Sequence, residues 1–245
     1  MIDTSSYRGT RIWAGSLSIL AAASLIWAFY LIFFYAPTEA TMGVVQRIFY
    51  VHVPSAWVAF LAFGIVALSS LGYLWLKDDR LDAIALSAAE LGVIFTSGVL
   101  ITGPLWGKLA WGAWWVWEPR LTLTLLLWLI YIAYFMIRNA TDNPETGKRF
   151  AAILGIVGAV DIPLIHVSVQ WFRSQHPQAV VLRPEGPTAD PEIVQTLLVS
   201  LLAFTLAFFA LLLYRYGLER MRGQLEALRY NAISSQTTSA EGALR

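Results

Sequence analysis

Apolar and polar positions alternate along this chain in long blocks. Six apolar runs, at residues 12–34, 54–76, 84–105, 121–138, 150–168 and 193–214, are separated by short polar connections. Each run falls near the span of about 17–25 residues that carries a helix across a bilayer. The pattern predicts an all-α integral membrane protein with six transmembrane helices and no room for a separate soluble catalytic module. The first run is too long for the apolar stretch of a cleaved signal and lacks a small-residue cleavage site, so a retained helix is expected. Residues 1–216 are expected to form the membrane domain and residues 217–245 a polar tail. Glu219, Arg220, Arg222, Glu226 and Arg229 give that tail a partly amphipathic character. It is expected to continue the last helix and fray after Asn231, as either a solvated tail or a docking helix.

Basic residues orient the spans. With the N-terminus inside, twelve of the seventeen Lys and Arg residues fall on inside segments: Arg8, Arg11, Lys77, Arg80, Arg138, Lys148, Arg149, Arg215, Arg220, Arg222, Arg229 and Arg245. Arg47, Lys108, Arg120, Arg173 and Arg183 fall outside. This bias places both termini in the cytoplasm and the connection between the third and fourth spans on the outer face.

Composition narrows the chemistry. Hydrophobic residues make up 58% of the 245 positions and charged residues 13%, against about 25% charged in a typical soluble domain. There is no cysteine, which excludes thiol relays, Fe–S clusters and thiolate metal sites. No GxxxxGK[ST] sequence occurs, so ATP-driven work would fall to another subunit. The net charge of +1 singles out no partner.

The outer connection between spans three and four carries five of the eleven tryptophans within twelve positions: Trp106, Trp111, Trp114, Trp115 and Trp117. One or two would anchor the chain where membrane meets water. Five among glycines predict a stiff shelf for something planar and apolar. Gly103, Pro104, Gly107 and Gly112 are expected to break the path between the two helices. If residues 111–118 formed a short helix, Trp111, Trp114 and Trp115 would share one face.

Only three histidines occur, His52, His166 and His176, and all three fall at or beyond the outer edge of the predicted spans. Neutral imidazole is an axial ligand for iron, and heme is the planar apolar object such a shelf would suit. Singly, a histidine at a helix end is more often a hydrogen-bonding interfacial residue; two of them flanking an aromatic shelf improve the case for ligation. His166, expected to end the fifth helix, is the most embedded and the nearest to Asp161, and reads as structural or second-shell. His52, expected just before the second helix, and His176, in the last outer loop, form the ligand pair.

Charges near the membrane need an account. Asp161 lies inside the fifth run, two residues before Pro163, and should face the bundle interior or a wet cavity. It pairs with a cation, caps backbone freed by the proline, or is protonated. Glu90 lies near the cytoplasmic start of the third helix, within reach of interfacial water. Arg120 follows Glu118 and Pro119 at the outer start of the fourth helix. It could hold a heme propionate, pair with Glu118, or meet lipid phosphate; Arg47 is the other propionate candidate.

The segment WGAWWVWEPRLT resembles the tryptophan-rich WWD signature of heme-handling membrane proteins in cytochrome c biogenesis. YVHVPSAW and IPLIHVSVQWFRSQH extend the likeness across residues 45–176. Size and span number are similar to the cytochrome c maturation protein C (heme exporter protein C) family. The resemblance implies a bacterial inner-membrane protein that binds heme b, in the ferric state, at the periplasmic face through His52 and His176. The tryptophan segment and Glu118 would serve as heme platform or chaperone-docking surface. It further implies handover to a membrane-anchored periplasmic heme chaperone, within an ABC-type complex of ATPase and membrane subunits and a small single-span subunit. The chain would then be no enzyme of its own. Glu118 and Pro119 stand where the family usually has aspartate and alanine, which puts in doubt any role needing the shorter carboxylate. A transmembrane b-type electron carrier, and a carrier or channel with an aromatic lid, are the other readings. The first would need histidine pairs inside the bilayer. The second would need more polar lining than these helices carry.

Overall fold

The computed structural model describes residues 4–172, 176 and 186–243, with the side chains of 4–8, 10, 231 and 234–243 left aside. Arg173, Arg183 and Arg245, counted above in the charge bias, lie outside the described residues. Six helices are long and apolar enough to cross a membrane, and no strand occurs among the described residues. They are α1 (Thr4–Tyr30), α2 (Phe49–Leu76), α3 (Asp79–Trp111), α4 (Pro119–Asn139), α5 (Pro144–Trp171) and α6 (Pro191–Ala243). A π turn, Leu31–Tyr35, closes α1, and a 3-10 segment, Val44–Ile48, leads into α2.

The expected spans are all present, but three boundaries differ in ways that matter. α2 begins at Phe49, so His52 lies inside a helix and not in a loop ahead of it. α3 runs through Pro104 to Trp111 and does not break at Gly103. In an apolar medium, unwinding would strand several backbone groups, whereas a proline inside the helix gives up only one donor. α3 ends where Gly112 takes a φ of 79° and donates its amide to the Lys108 carbonyl at 3.1 Å. That left-handed turn is a glycine conformation. α5 continues to Trp171, which puts His166 within the helix.

Polar side chains start the helices where the chain leaves the membrane. Asp78 caps α3 by accepting from the Arg80 amide, and Asn143 caps α5 by accepting from Glu145 and Thr146. Pro119 and Pro144 occupy first-turn positions where a missing N–H has no consequence. Ser87 and Thr96 turn their hydroxyls back onto carbonyls four residues earlier, which satisfies them inside an apolar bundle.

α2 sits at the centre, packed against α3, α5 and α6, while α4 packs on α5. Phe63 of α2 stacks on Tyr131 of α4 with centroids 3.7 Å apart, and Tyr131 donates to the Gly155 carbonyl of α5 at 2.9 Å. Gly92 makes this stack possible, since a Cβ there would stand 2.4 Å from the Phe63 ring. α1 lies along α6 and buries the seven-residue series Ala14, Ala21 and Ala28. Its larger residues, such as Ile19 and Ile26, face outward.

At the bundle end formed by the start of α3, the end of α4 and the start of α5, charges are paired. Arg138 grips Asp82 with both nitrogens, Nη1 to Oδ1 at 2.7 Å, and both side chains are largely buried. Lys148 bridges Asp79 and Glu145 at 2.7 and 2.8 Å. Glu90, expected within reach of interfacial water, is also held by Arg215 of α6, Nη2 to Oε1 at 2.6 Å. The tight α4–α5 connection depends on Gly147, where a Cβ would come within 2.3 Å of the Arg138 carbonyl oxygen. Gly147→Ala is therefore expected to destabilise the bundle by about 1–3 kcal/mol, the usual cost of overpacking. Thermal unfolding in detergent checks it; a variant as stable as wild type would mean that this connection yields.

Candidate functional site

At the opposite end, the first turn of α2, the last three turns of α3 and the first turn of α4 come together. His52 is 7% exposed. Its Nδ1 lies 2.8 Å from the Thr102 hydroxyl on α3, and that hydroxyl lies 2.7 Å from the Gly98 carbonyl one turn earlier. Trp106 meets the imidazole edge-to-face at 5.8 Å, and Phe49 meets Trp106 in the same manner at 6.0 Å. Gly103 leaves the ring its place: a Cβ there would touch His52 Cε1 at 3.4 Å. The imidazole is thus walled in by α3.

Across from it, Arg120 in the first turn of α4 directs Nη1 at Nδ1 of His176, 3.4 Å away. An arginine has no acceptor, so the guanidinium donates. His176 and Arg120 lie close enough to His52 for a positive charge on either to be felt there. Glu118, 9% exposed, is the residue before α4 and acts electrostatically on Arg120. The structure therefore brings His52, His176, Arg120 and Glu118 into one neighbourhood.

The tryptophans divide by environment. Trp106 is buried in a cluster with Phe49, Tyr50, Ile193 and Leu197, its ring edge-to-face with His52. Trp111 is the last residue of α3, and the chain from Gly112 to Trp117 is not helical. The short helix considered over 111–118 does not form, because Gly112 turns the chain and Pro119 only starts the next helix. Trp114 and Trp117 are exposed, at 58% and 76%. Trp115 is partly covered and meets Trp117 at 77°, so these two rings make a corner and not a flat shelf.

The remaining candidates lie apart. Arg47 stands over the Phe33 ring at 5.4 Å. Asp161 is 5% exposed, with one carboxylate oxygen lacking a partner among the described residues. His166 is exposed on the surface of α5. Five positions of a helix separate these two by roughly 140°, so nearness in sequence does not bring them to one face. Thr102 was not singled out from sequence, and Gly103 was named only as a break between helices. The sole signal was a polar hydroxyl and a glycine at the end of an apolar run, and nothing in it pointed to a histidine fifty residues earlier.

The donor set of this end suits a heme. Among the described residues no group of three His, Cys, Asp or Glu could hold a bare metal ion. A pair of imidazoles completes an iron whose four other positions a macrocycle already fills. Two buried indole N–H groups, Trp106 Nε1 and Trp115 Nε1, lack an acceptor among the described residues. Elsewhere Trp57 and Trp128 donate to Thr205 and Ser97. Unsatisfied buried donors are costly, and propionate oxygens would serve them.

Comparison with known proteins agrees with this reading. A family model described as heme exporter protein C matches residues 3–231. The chain is 36% identical over 206 residues to the heme exporter protein C of Bradyrhizobium diazoefficiens, covering 84% of this chain and 78% of that protein. It is 32% identical to the Haemophilus influenzae protein of that name, covering 83% and 81%. A putative cytochrome c biosynthesis ccmC-like mitochondrial protein of Marchantia polymorpha is 36% identical over 171 residues, covering 70% and 71%.

Proposed function

Because the chain belongs to the heme exporter protein C family, we propose that it binds heme at the tryptophan-bearing end and hands it to a membrane-anchored heme chaperone during cytochrome c biogenesis. The observation that carries this reading is the nearness of His52, His176 and Arg120 at the end of the bundle where Trp106 and Trp115 keep indole N–H groups without an acceptor among the described residues. The excess of basic residues at the opposite end supports a site on the periplasmic side of the inner membrane, with both termini in the cytoplasm.

In this scheme each group has one task. His52 and His176 hold the iron from its two faces. Arg120, released from His176, pairs with a propionate, and Trp106 and Trp115 donate to propionate oxygens. Trp114 and Trp117, exposed at the rim, cover a ring face or meet the chaperone. One heme edge stays open so that the chaperone can reach it. An electron carrier with hemes stacked across the bilayer needs several histidines at different depths, and this chain has three in all. An ABC ATPase, its membrane subunit and a small single-span protein would power release. The cargo is read as ferric heme b.

The test is the absorption spectrum of the detergent-purified protein, co-expressed with a tagged periplasmic heme chaperone. A six-coordinate heme at about one per chain, together with a loaded chaperone, is the expected result. Heme-free protein with a fully loaded chaperone would remove the site assignment. In the same system Trp114→Ala combined with Trp115→Ala is expected to lower chaperone loading several-fold. Normal loading with reduced insertion would instead make these residues a membrane belt.

A further inference from the structure

The contact between His52 and Thr102 fixes more than a ring position. Thr102 has a single hydroxyl proton and two short contacts, 2.7 Å to the Gly98 carbonyl and 2.8 Å to His52 Nδ1. A carbonyl only accepts, so the hydroxyl proton belongs on the Gly98 side, and Thr102 Oγ1 must then accept from Nδ1–H. The opposite assignment would leave two oxygens facing each other at 2.7 Å with no proton between them. His52 is thereby held in the tautomer that carries its proton on Nδ1 and leaves Nε2 as a bare lone pair. Gly103 on one side and Trp106 on another limit how far the ring can turn. His176 is set differently, since Arg120 donates to its Nδ1 and so favours the proton on Nε2.

We propose that Thr102 is a positioning residue for heme ligation, acting through His52 by orienting the imidazole and presenting Nε2 to the iron. The inference rests on the heme-handling reading above. It also makes the two ligands unequal: His52 is set before heme arrives, whereas His176 must first give up its contact with Arg120. An Nδ1–H donated to an oxygen makes the imidazole a stronger base toward iron and favours the oxidised metal. Losing that acceptor should loosen heme and move its midpoint potential upward.

The experiment compares wild type with Thr102→Val, Thr102→Ala and Thr102→Ser, each purified in detergent with heme bound. Two quantities are read: the rate of heme loss to an excess of a heme-scavenging globin, and the midpoint potential by spectroscopic titration. Valine keeps the shape without the hydroxyl, and serine keeps the hydroxyl. The valine and alanine variants are expected to lose heme about 10-fold faster or more, the range typical of a lost outer-shell partner, at a raised potential. Serine is expected to match wild type. Val and Ala variants indistinguishable from wild type would overturn the proposal, as would a serine variant as impaired as valine. If the valine variant does not accumulate, the alanine–serine comparison decides alone. A wild-type protein that holds no heme overturns the functional reading together with Thr102, whereas heme-loaded wild type with unaffected variants removes Thr102 alone.

Discussion

His52→Ala is expected to strip heme from the purified protein, and His176→Ala to do the same, while His166→Ala keeps the wild-type spectrum. The reasoning is geometric. His52 is walled in by α3 and its Nδ1 is engaged by Thr102, which leaves Nε2 as the nitrogen for iron. His176 and Arg120 stand near enough to act on His52 electrostatically. His166, exposed on α5, shares none of these contacts. Loss of an outer-shell partner typically weakens metal binding by about 10–100-fold, so loss of a ligand should exceed that. Heme content per chain and the visible spectrum report the outcome. A His166→Ala variant that loses heme while His52→Ala retains it would reverse the assignment. Because His52→Ala also removes a buried side chain, His52→Gln, which keeps bulk but does not bind heme iron well, separates lost ligation from lost packing.

Asp82→Ala is expected to be the most destabilising single change at the opposite end of the bundle. Arg138 makes a two-pronged contact with Asp82, and the two side chains are 13% and 8% exposed. Breaking a buried pair by removing one partner leaves a stranded charge, at about 3–5 kcal/mol. Replacing both partners with apolar residues of similar size should cost much less, since the desolvation of both charges disappears with them. The comparison is Asp82→Ala against Asp82→Leu with Arg138→Met, followed by thermal unfolding in detergent. A single variant no less stable than the double would show that lipid headgroups or water already serve Arg138.

The six spans were legible because a bilayer accepts few solutions and each leaves a long apolar run. Their ends were less so. Residues 49–53, FYVHV, precede Pro54 without a capping side chain, so nothing in the sequence marked the helix start at Phe49. Pro104 looked like a terminator and is not one, since the terminator is Gly112, which can take the left-handed turn. The candidate site was legible as an inventory: His52, His176, Arg120 and the tryptophans were named, and His52, His176 and Arg120 lie near one another at one end. What each tryptophan does was not legible, because Trp106 is buried and Trp117 exposed though they share one segment. Contacts such as His52–Thr102 and Asp82–Arg138 link residues 50 and 56 positions apart. No periodicity within one helix encodes them.

The packing of α1 along α6 has a consequence in time. The alanine face of α1 waits for a helix whose matching residues come some 160 positions later, the separation between Tyr35 and its partner Gln195. At about 5–20 residues per second, synthesis takes on the order of 8–30 s to deliver that helix. During this interval α1 is a lone span in lipid, and the small side chains of Ala14, Ala21 and Ala28 give lipid tails little reason to leave. The sixth span is thus the one that fastens the first, and α1 finds its seat only after every span between them has been made.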